Sequence, residues 1–260
     1  MKSIIFMLSL TLTLVLLIGG GIYYSVNNAG QEIKHLLAQD VEETTKTVSF
    51  NPQGTLSAST LNGSISITAH DEPTLTIIII KKGHKEDFSF VTVEESLTKN
   101  QATFNCIYKK NNCNVSISYE IVLPKTATII GKTTNGEIKV TEITGATSLQ
   151  SINGSLHGMN TPHVLSAKTV NGSISLNTNL FSATVSTMQT TNGSIFFHAD
   201  QLEAKIITLQ STNGSITAEV PSPLKTEGTN QNLSCTSGTT TIQASTINGS
   251  LSMRPIAKNK

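Results

Sequence analysis

Beyond residue 125, apolar and polar positions alternate in short runs, and each run restarts just after an Asn-Gly pair. The third and fifth residues after Asn are mostly apolar: Ile138 and Val140, Ile174 and Leu176, Ile195 and Phe197, Ile216 and Ala218, Leu251 and Met253. A period of two is that of a strand with one face turned inward. The run after Asn153 departs from it, with Leu156 followed by Gly158. Upstream, Thr74 to Lys82 holds four consecutive Ile and predicts a strand buried on both faces. Phe88 to Val93, Gln101 to Tyr108 and Asn114 to Leu123 predict further strands. Gln31 to Thr47 is more charged, with Ile33, Leu36, Leu37 and Val41 at helix-like spacing, and reads as a stalk or short helix.

The pairs recur in one context, Thr/Ser-x-Asn-Gly-Ser-Ile/Leu. They stand at Asn62-Gly63, Asn135-Gly136, Asn153-Gly154, Asn171-Gly172, Asn192-Gly193, Asn213-Gly214 and Asn248-Gly249. From Asn135 the steps are 18, 18, 21, 21 and 35 residues, and a degenerate copy at Thr229-Asn230-Gln231 would split the last into 17 and 18. Such steps are too short for helical repeats or propeller blades. At about 3.3 Å per residue, 18 extended residues run about 60 Å, one closed coil of three short strands. The expected fold is therefore all-β: a β-solenoid with one 17–21-residue rung per Asn-Gly repeat over 125–255. Residues 48–124 would form an N-terminal β portion that caps the first rung, and 256–260 a tail. Antiparallel hairpins, the usual meaning of Asn-Gly, would recur at about 8–12 residues. In the solenoid, Gly at the corner would supply a positive φ, and the Asn side chains would stack as an amide ladder.

The N-terminus adds a location. Lys2 precedes an apolar stretch from Ile4 to Ile18, followed by three glycines and then Tyr23 and Tyr24. Residues 1–26 read either as a cleaved signal peptide or as an uncleaved transmembrane anchor, with 27–47 as a linker or stalk. Either way the chain from about residue 30 onward would be extracytoplasmic, with the N-terminal segment as its membrane contact. Cys106 and Cys113 flank six residues; folded as a hairpin centred between Lys109 and Lys110, they stand opposite one another. An oxidising compartment favours a structural disulfide there, against the alternative of two buried thiols. Cys235 is left over.

Composition narrows the function classes. Charged residues are 13%, net charge is +1, Ser and Thr make up about a quarter of the chain, and Trp is absent. No basic stripe exists to neutralise phosphates, so nucleic acid is excluded as a partner. Aromatic residues at 5% leave little for a sugar-stacking platform.

Val115-Ser116-Ile117-Ser118-Tyr119-Glu120-Ile121-Val122-Leu123-Pro124 followed by Thr133-Thr134-Asn135-Gly136-Glu137-Ile138, together with the later Thr-x-Asn-Gly-Ser-Ile copies, resembles the DUF4097 family of adhesin-like proteins. The likeness covers about residues 48–253. It implies a bacterial protein with a right-handed β-helix-like fold behind an N-terminal membrane segment, and, for some relatives, a link to cell-envelope stress. It brings no catalytic residues to carry over.

A search for chemistry finds little. The six histidines are scattered, and His70-Asp71-Glu72 reads as a solvated loop before Pro73 rather than a metal fragment. Glu137, Glu142, Asp200, Glu203 and Glu219 fall at different rung positions and predict no paired-carboxylate site. Thr133, Ser151, Thr169, Thr190, Ser211 and Thr246 predict one hydroxyl column, and Ser155, Ser173, Ser194, Ser215 and Ser250 a second. Such columns serve either a turn-facing hydrogen-bond ladder or a flat array for an ordered lattice such as ice. The sequence thus predicts a non-enzymatic envelope module, adhesin-like, without cofactor or metal, whose partner is an envelope or surface protein or a glycan. End-to-end self-association is compatible with it. The alternatives are a glycan-processing β-helix enzyme and an ice-binding array.

Overall fold

A computed structural model describes residues 39–110, 113–222, 224–229, 231–237 and 239–256. The leader expected over 1–26 lies outside them. Among the described residues no helix is long and apolar enough to cross a membrane.

The N-terminal part comprises β1 (Asp40–Ser49), β2 (Thr55–Asn62), β3 (Ile65–His70) and β4 (Thr74–Gly83), then a 3-10 turn over Lys85–Phe90. It continues through β5 (Val91–Leu97), β6 (Gln101–Tyr108) and β7 (Val115–Pro124). The repeats follow as β8 (Thr128–Asn135), β9 (Ile138–Thr141), β10 (Thr147–Gln150), β11 (Leu156–Met159), β12 (Val164–Lys168) and β13 (Ile174–Phe181). Then come β14 (Val185–Asn192), β15 (Ile195–Leu202), β16 (Ile206–Asn213), β17 (Ile216–Val220), β18 (Leu224–Thr229), β19 (Asn232–Ser237), β20 (Thr240–Thr246) and β21 (Leu251–Pro255). The molecule is all-β, built as two large sheets.

From β8 to β17 the chain alternates between the sheets, and from β10 onward each strand pairs in parallel with the strand two before it. Thus β13 lies on β11 through Leu156↔Ile174, and β16 on β14 through Met188↔Leu209. Each Asn-Gly repeat contributes two strands, one to each sheet, where three short ones were expected. Repeat length sets strand length: the 21-residue steps allow strands of eight residues, such as β13 to β16, whereas the first 18-residue step is built from the four-residue strands β9 and β10. Inward positions alternate with outward ones, so Ile138, Val140, Ile174, Leu176, Ile195, Phe197, Ile216 and Ala218 are all buried. Gly158 takes an inward position too, and Leu176 leans into its place, with Cδ1 only 2.5 Å from where a Cβ would stand.

The two long gaps between Asn-Gly pairs are excursions of the chain. Between Asn62 and Asn135, β4 to β7 are inserted, yet β2 pairs directly with β8 and β3 with β9. β6 and β7 stack on the other side of β2 and β3, and are themselves covered by antiparallel β5 and β4. Between Asn213 and Asn248, β16 pairs directly with β20, while β18 and β19 form an antiparallel hairpin that extends the eleven-stranded sheet beyond it. The expected degenerate copy at Thr229–Gln231 is therefore not a rung. It falls where β18 turns into β19, and β19 runs opposite to β20. Thr-Asn-Gln lacks the glycine that every true corner carries.

Four further expectations are corrected. Residues 40–47, read as stalk or helix, belong to β1; its Val41, Thr44, Thr45, Thr47 and Val48 suit a strand better than a helix. Lys85–Phe90 is a 3-10 turn that drops Phe88 into the core, so the strand expected from Phe88 starts at Val91. In β4, Ile77 and Ile79 face the core, whereas Ile78 and Ile80 are only half-buried, so this strand has one buried face. The Cys106–Cys113 bridge is absent, because β6 and β7 form no hairpin with each other. β6 pairs with β5, setting Cys106 opposite Val93 in one sheet, and β7 pairs with β4 in the other. All three cysteines are free, and the Cys113 thiol points at the Asp87 carbonyl (3.7 Å). Burial pushes the Cys106 thiol up to about 11, so it stays protonated at neutral pH.

Candidate functional site

The corner that joins one strand of each rung to the next is the most regular feature of the molecule. Its first element is the hydroxyl two residues before Asn. Thr169 Oγ1 donates to the Gly154 carbonyl in the coil below (2.8 Å), Thr190 Oγ1 to Gly172 (2.8 Å), Ser211 Oγ to Gly193 (2.9 Å) and Thr246 Oγ1 to Gly214 (3.0 Å). Thr133 and Ser151 do the same to Gly63 and Gly136. At the N-terminal end Thr60 bonds the Ile117 carbonyl of β7. Cys106 follows Asn105, which pairs with Ser59, so its thiol lies beneath Thr60 and continues the column. The seven hydroxyl side chains are buried, which removes them from any surface array. The ice-binding alternative loses its first column for that reason.

The second element is the asparagine. Nδ2 of Asn135 donates to Oδ1 of Asn62, Asn153 to Asn135, Asn171 to Asn153, Asn192 to Asn171, Asn213 to Asn192 and Asn248 to Asn213, all at 2.7–2.8 Å. The structure thus brings all seven into one exposed ladder. Each bond adds roughly 0.5–1.5 kcal/mol net, and each also fixes the register of one coil on the last.

The third element is the glycine, and here the reason differs from the expected one. Only Gly63 in this column has a positive φ (139°). Glycine is required instead by close stacking. A Cβ on Gly136, Gly154, Gly172, Gly193, Gly214 or Gly249 would sit 1.8–2.3 Å from the carbonyl oxygen of the glycine below. The serine that follows completes the corner. The Ser173, Ser194 and Ser215 amides donate to the Ser155, Ser173 and Ser194 hydroxyls at 3.2–3.3 Å, and the Ser215 and Ser250 hydroxyls lie 3.0 Å apart.

Hydroxyls, asparagine amides and serine amides of the corner therefore find their partners in the adjacent coil. Thr169→Val keeps the shape but leaves the Gly154 carbonyl without that donor. It is expected to cost about 1–3 kcal/mol, whereas Thr169→Ser, the residue at Ser151 and Ser211, should cost much less. Urea unfolding of the two variants checks this; equal losses would assign the effect to the methyl group.

Elsewhere the charged groups fall into small surface clusters. His198 Nδ1 lies 3.1 Å from Glu219 Oε2 and its Nε2 3.3 Å from Asp200 Oδ1, with Arg254 Nε 3.7 Å from Glu219. Asp200 and Glu219 thus meet at one imidazole, which the reading of scattered carboxylates missed. The signal was present, since a 21-residue step sets Glu219 beside His198. His157 stands 3.8 Å from Glu137. His70 stays within its own turn, where Nδ1 accepts from the Glu72 amide (3.0 Å), and Asp71 pairs with Lys125 (2.5 Å), which holds its carboxyl below the usual range. Among the described residues, no group of three His, Cys, Asp or Glu is placed to hold a metal ion.

No family model and no curated protein matches the chain. Solved structures similar to it include a putative cell adhesion protein from Clostridium sporogenes, 11% identical, with 83% of this chain and 100% of that one covered and a TM-score of 0.43. A putative adhesin from Bacteroides fragilis is 13% identical over 83% of this chain and 97% of its own, with the same TM-score of 0.43. A putative lipid binding protein from Parabacteroides distasonis is 12% identical over 83% and 97%, with a TM-score of 0.27.

Proposed function

We propose that the chain is a non-enzymatic, extracytoplasmic β-solenoid of the bacterial cell envelope, an adhesin-like module of the DUF4097 kind held at the membrane by residues 1–26. The observation that carries this reading is the corner column. Its hydroxyls, amides and glycines are spent on holding coil to coil, so the repeated residues build a scaffold and leave binding to the outer faces. Those faces are mixed and weakly charged, which suits contact with other neutral polar surfaces better than with nucleic acid. The apolar leader of residues 1–26 is what supports the location.

The test uses the full chain in detergent, offered to envelope fractions and to a glycan array, with hydrolysis of the same glycans followed in parallel. Binding without turnover is the expected result. Release of reducing ends would instead favour the glycan-processing alternative, with His198, Asp200 and Glu219 as the first residues to substitute.

A further inference from the structure

The coil is interrupted once in its C-terminal half, by the β18–β19 hairpin, and the interruption builds a depression. On the outer face of the eleven-stranded sheet, two open cavities of about 470 and 420 Å³ share Gln210, Asn232 and Ser245 and form one run beside the hairpin. Each is of the size that accepts a small ligand. Strand register fixes their floor. Gln189, Gln210, Ser245 and Asn232 stand in one row across β14, β16, β20 and β19. Thr208, Gln243 and Ser234 stand in the next, with Glu227 of β18 opposite Ser234 as its end. At about 4.8 Å between strands, the four-residue row runs about 14 Å.

What separates this floor from the corner is that its polar groups are unspent. The asparagine amides of the ladder bond one another. By contrast, among the described residues the side chains of Gln189, Gln210 and Gln243 have no hydrogen-bond partner, and those of Thr208, Ser234 and Ser245 have none either. An amide offers a donor pair and an acceptor side by side, and a hydroxyl offers both at one atom. The lining carries one carboxylate, Glu227, and no Lys, Arg or His, which disfavours phosphates and acidic sugars. Its apolar part is small: Ile247, 65% exposed at one end, is the apolar side chain it presents most openly, whereas Ala244 is buried on the other face. That is too little for a lipid tail, but it matches the C–H faces of a sugar ring.

We propose that this depression binds a neutral oligosaccharide, its hydroxyls paired with the free amides of Gln210 and Gln243 and a ring face laid against Ile247. The proposal rests on the adhesin-like reading above and names its ligand class. With no aromatic residue in the lining, a single contact is weak, and retention on a surface would come from many copies acting together.

The test uses the full chain in detergent and saturation-transfer NMR with a panel of neutral hexose and N-acetylhexosamine oligomers. Sialylated oligosaccharides, phosphorylated oligosaccharides and spermine serve as charged controls. Wild type should bind at least one neutral oligomer and none of the controls. The double variant Gln210→Ala/Gln243→Ala should weaken that binding at least tenfold with its melting midpoint unchanged, since both residues are exposed. Binding only to charged probes, or equal binding by the double variant, would overturn the proposal. If wild type is retained by envelope fractions yet binds no neutral oligomer, the adhesive reading stands and this ligand class fails. Retention by neither removes both.

Discussion

Gly193→Ala is expected to destabilise the protein by about 3 kcal/mol or more, at the upper end of overpacking effects. An added Cβ would lie 2.0 Å from the Gly172 carbonyl oxygen and 2.6 Å from its carbon. Both atoms are backbone, and the same oxygen accepts the Thr190 hydroxyl, so neither can withdraw without opening the corner. The damage would extend to both neighbours, because Asn192 is bonded to Asn171 on one side and to Asn213 on the other. Gly131→Ala is the control. There the nearest atoms are side-chain carbons, Leu149 Cδ2 at 3.2 Å and Ile138 Cγ2 at 3.4 Å, and each can move by tenths of an ångström. Urea unfolding should show a large loss for the first variant and a small change for the second. Similar losses would mean that the glycine column is not held by backbone contact.

The same corner shows what the sequence makes readable. A residue that must meet its own copy every 18 or 21 positions is visible as a period, so the rung spacing and the inward alternation are legible in the sequence. The glycine was visible too, but its reason was not, since a close approach between carbonyl and Cα depends on coil spacing rather than on local preference. Two strands per rung also escaped the reading. Eighteen residues satisfy either count, and the choice depends on how far the two sheets flatten against each other. The cysteines mislead for a related reason. Spacing allows a hairpin between Cys106 and Cys113, but Val115 to Leu123 finds a better partner in the Ile-rich β4, and the segment crosses to the other sheet. The depression by the hairpin had no local signal at all. Gln189 and Gln210 fall 21 residues apart like everything around them, and only the hairpin, read as a broken repeat, makes them the floor of a cavity.

Phe197→Ala is expected to cost about 3–5 kcal/mol, as for other buried aromatic truncations. The three extra residues of a 21-residue step lengthen its strands, and the wider interior needs larger filling than Ile and Val provide. Phe181 and Phe197 supply it, both fully buried, edge to face with centroids 5.2 Å apart at 87°. Truncation leaves a void between the sheets and strips Phe181 of its edge contact, and the small residues beside them, Ala183, Ala199 and Ala204, cannot expand to fill it. Coils touch only their neighbours, so the loss should be local. Hydrogen exchange should accelerate in β13, β15 and β17 while β3 and β7, several strands away in the same sheet, keep their protection. Uniform acceleration along the whole sheet would show instead that the stack unfolds as a single cooperative unit, in which each coil holds every other in place.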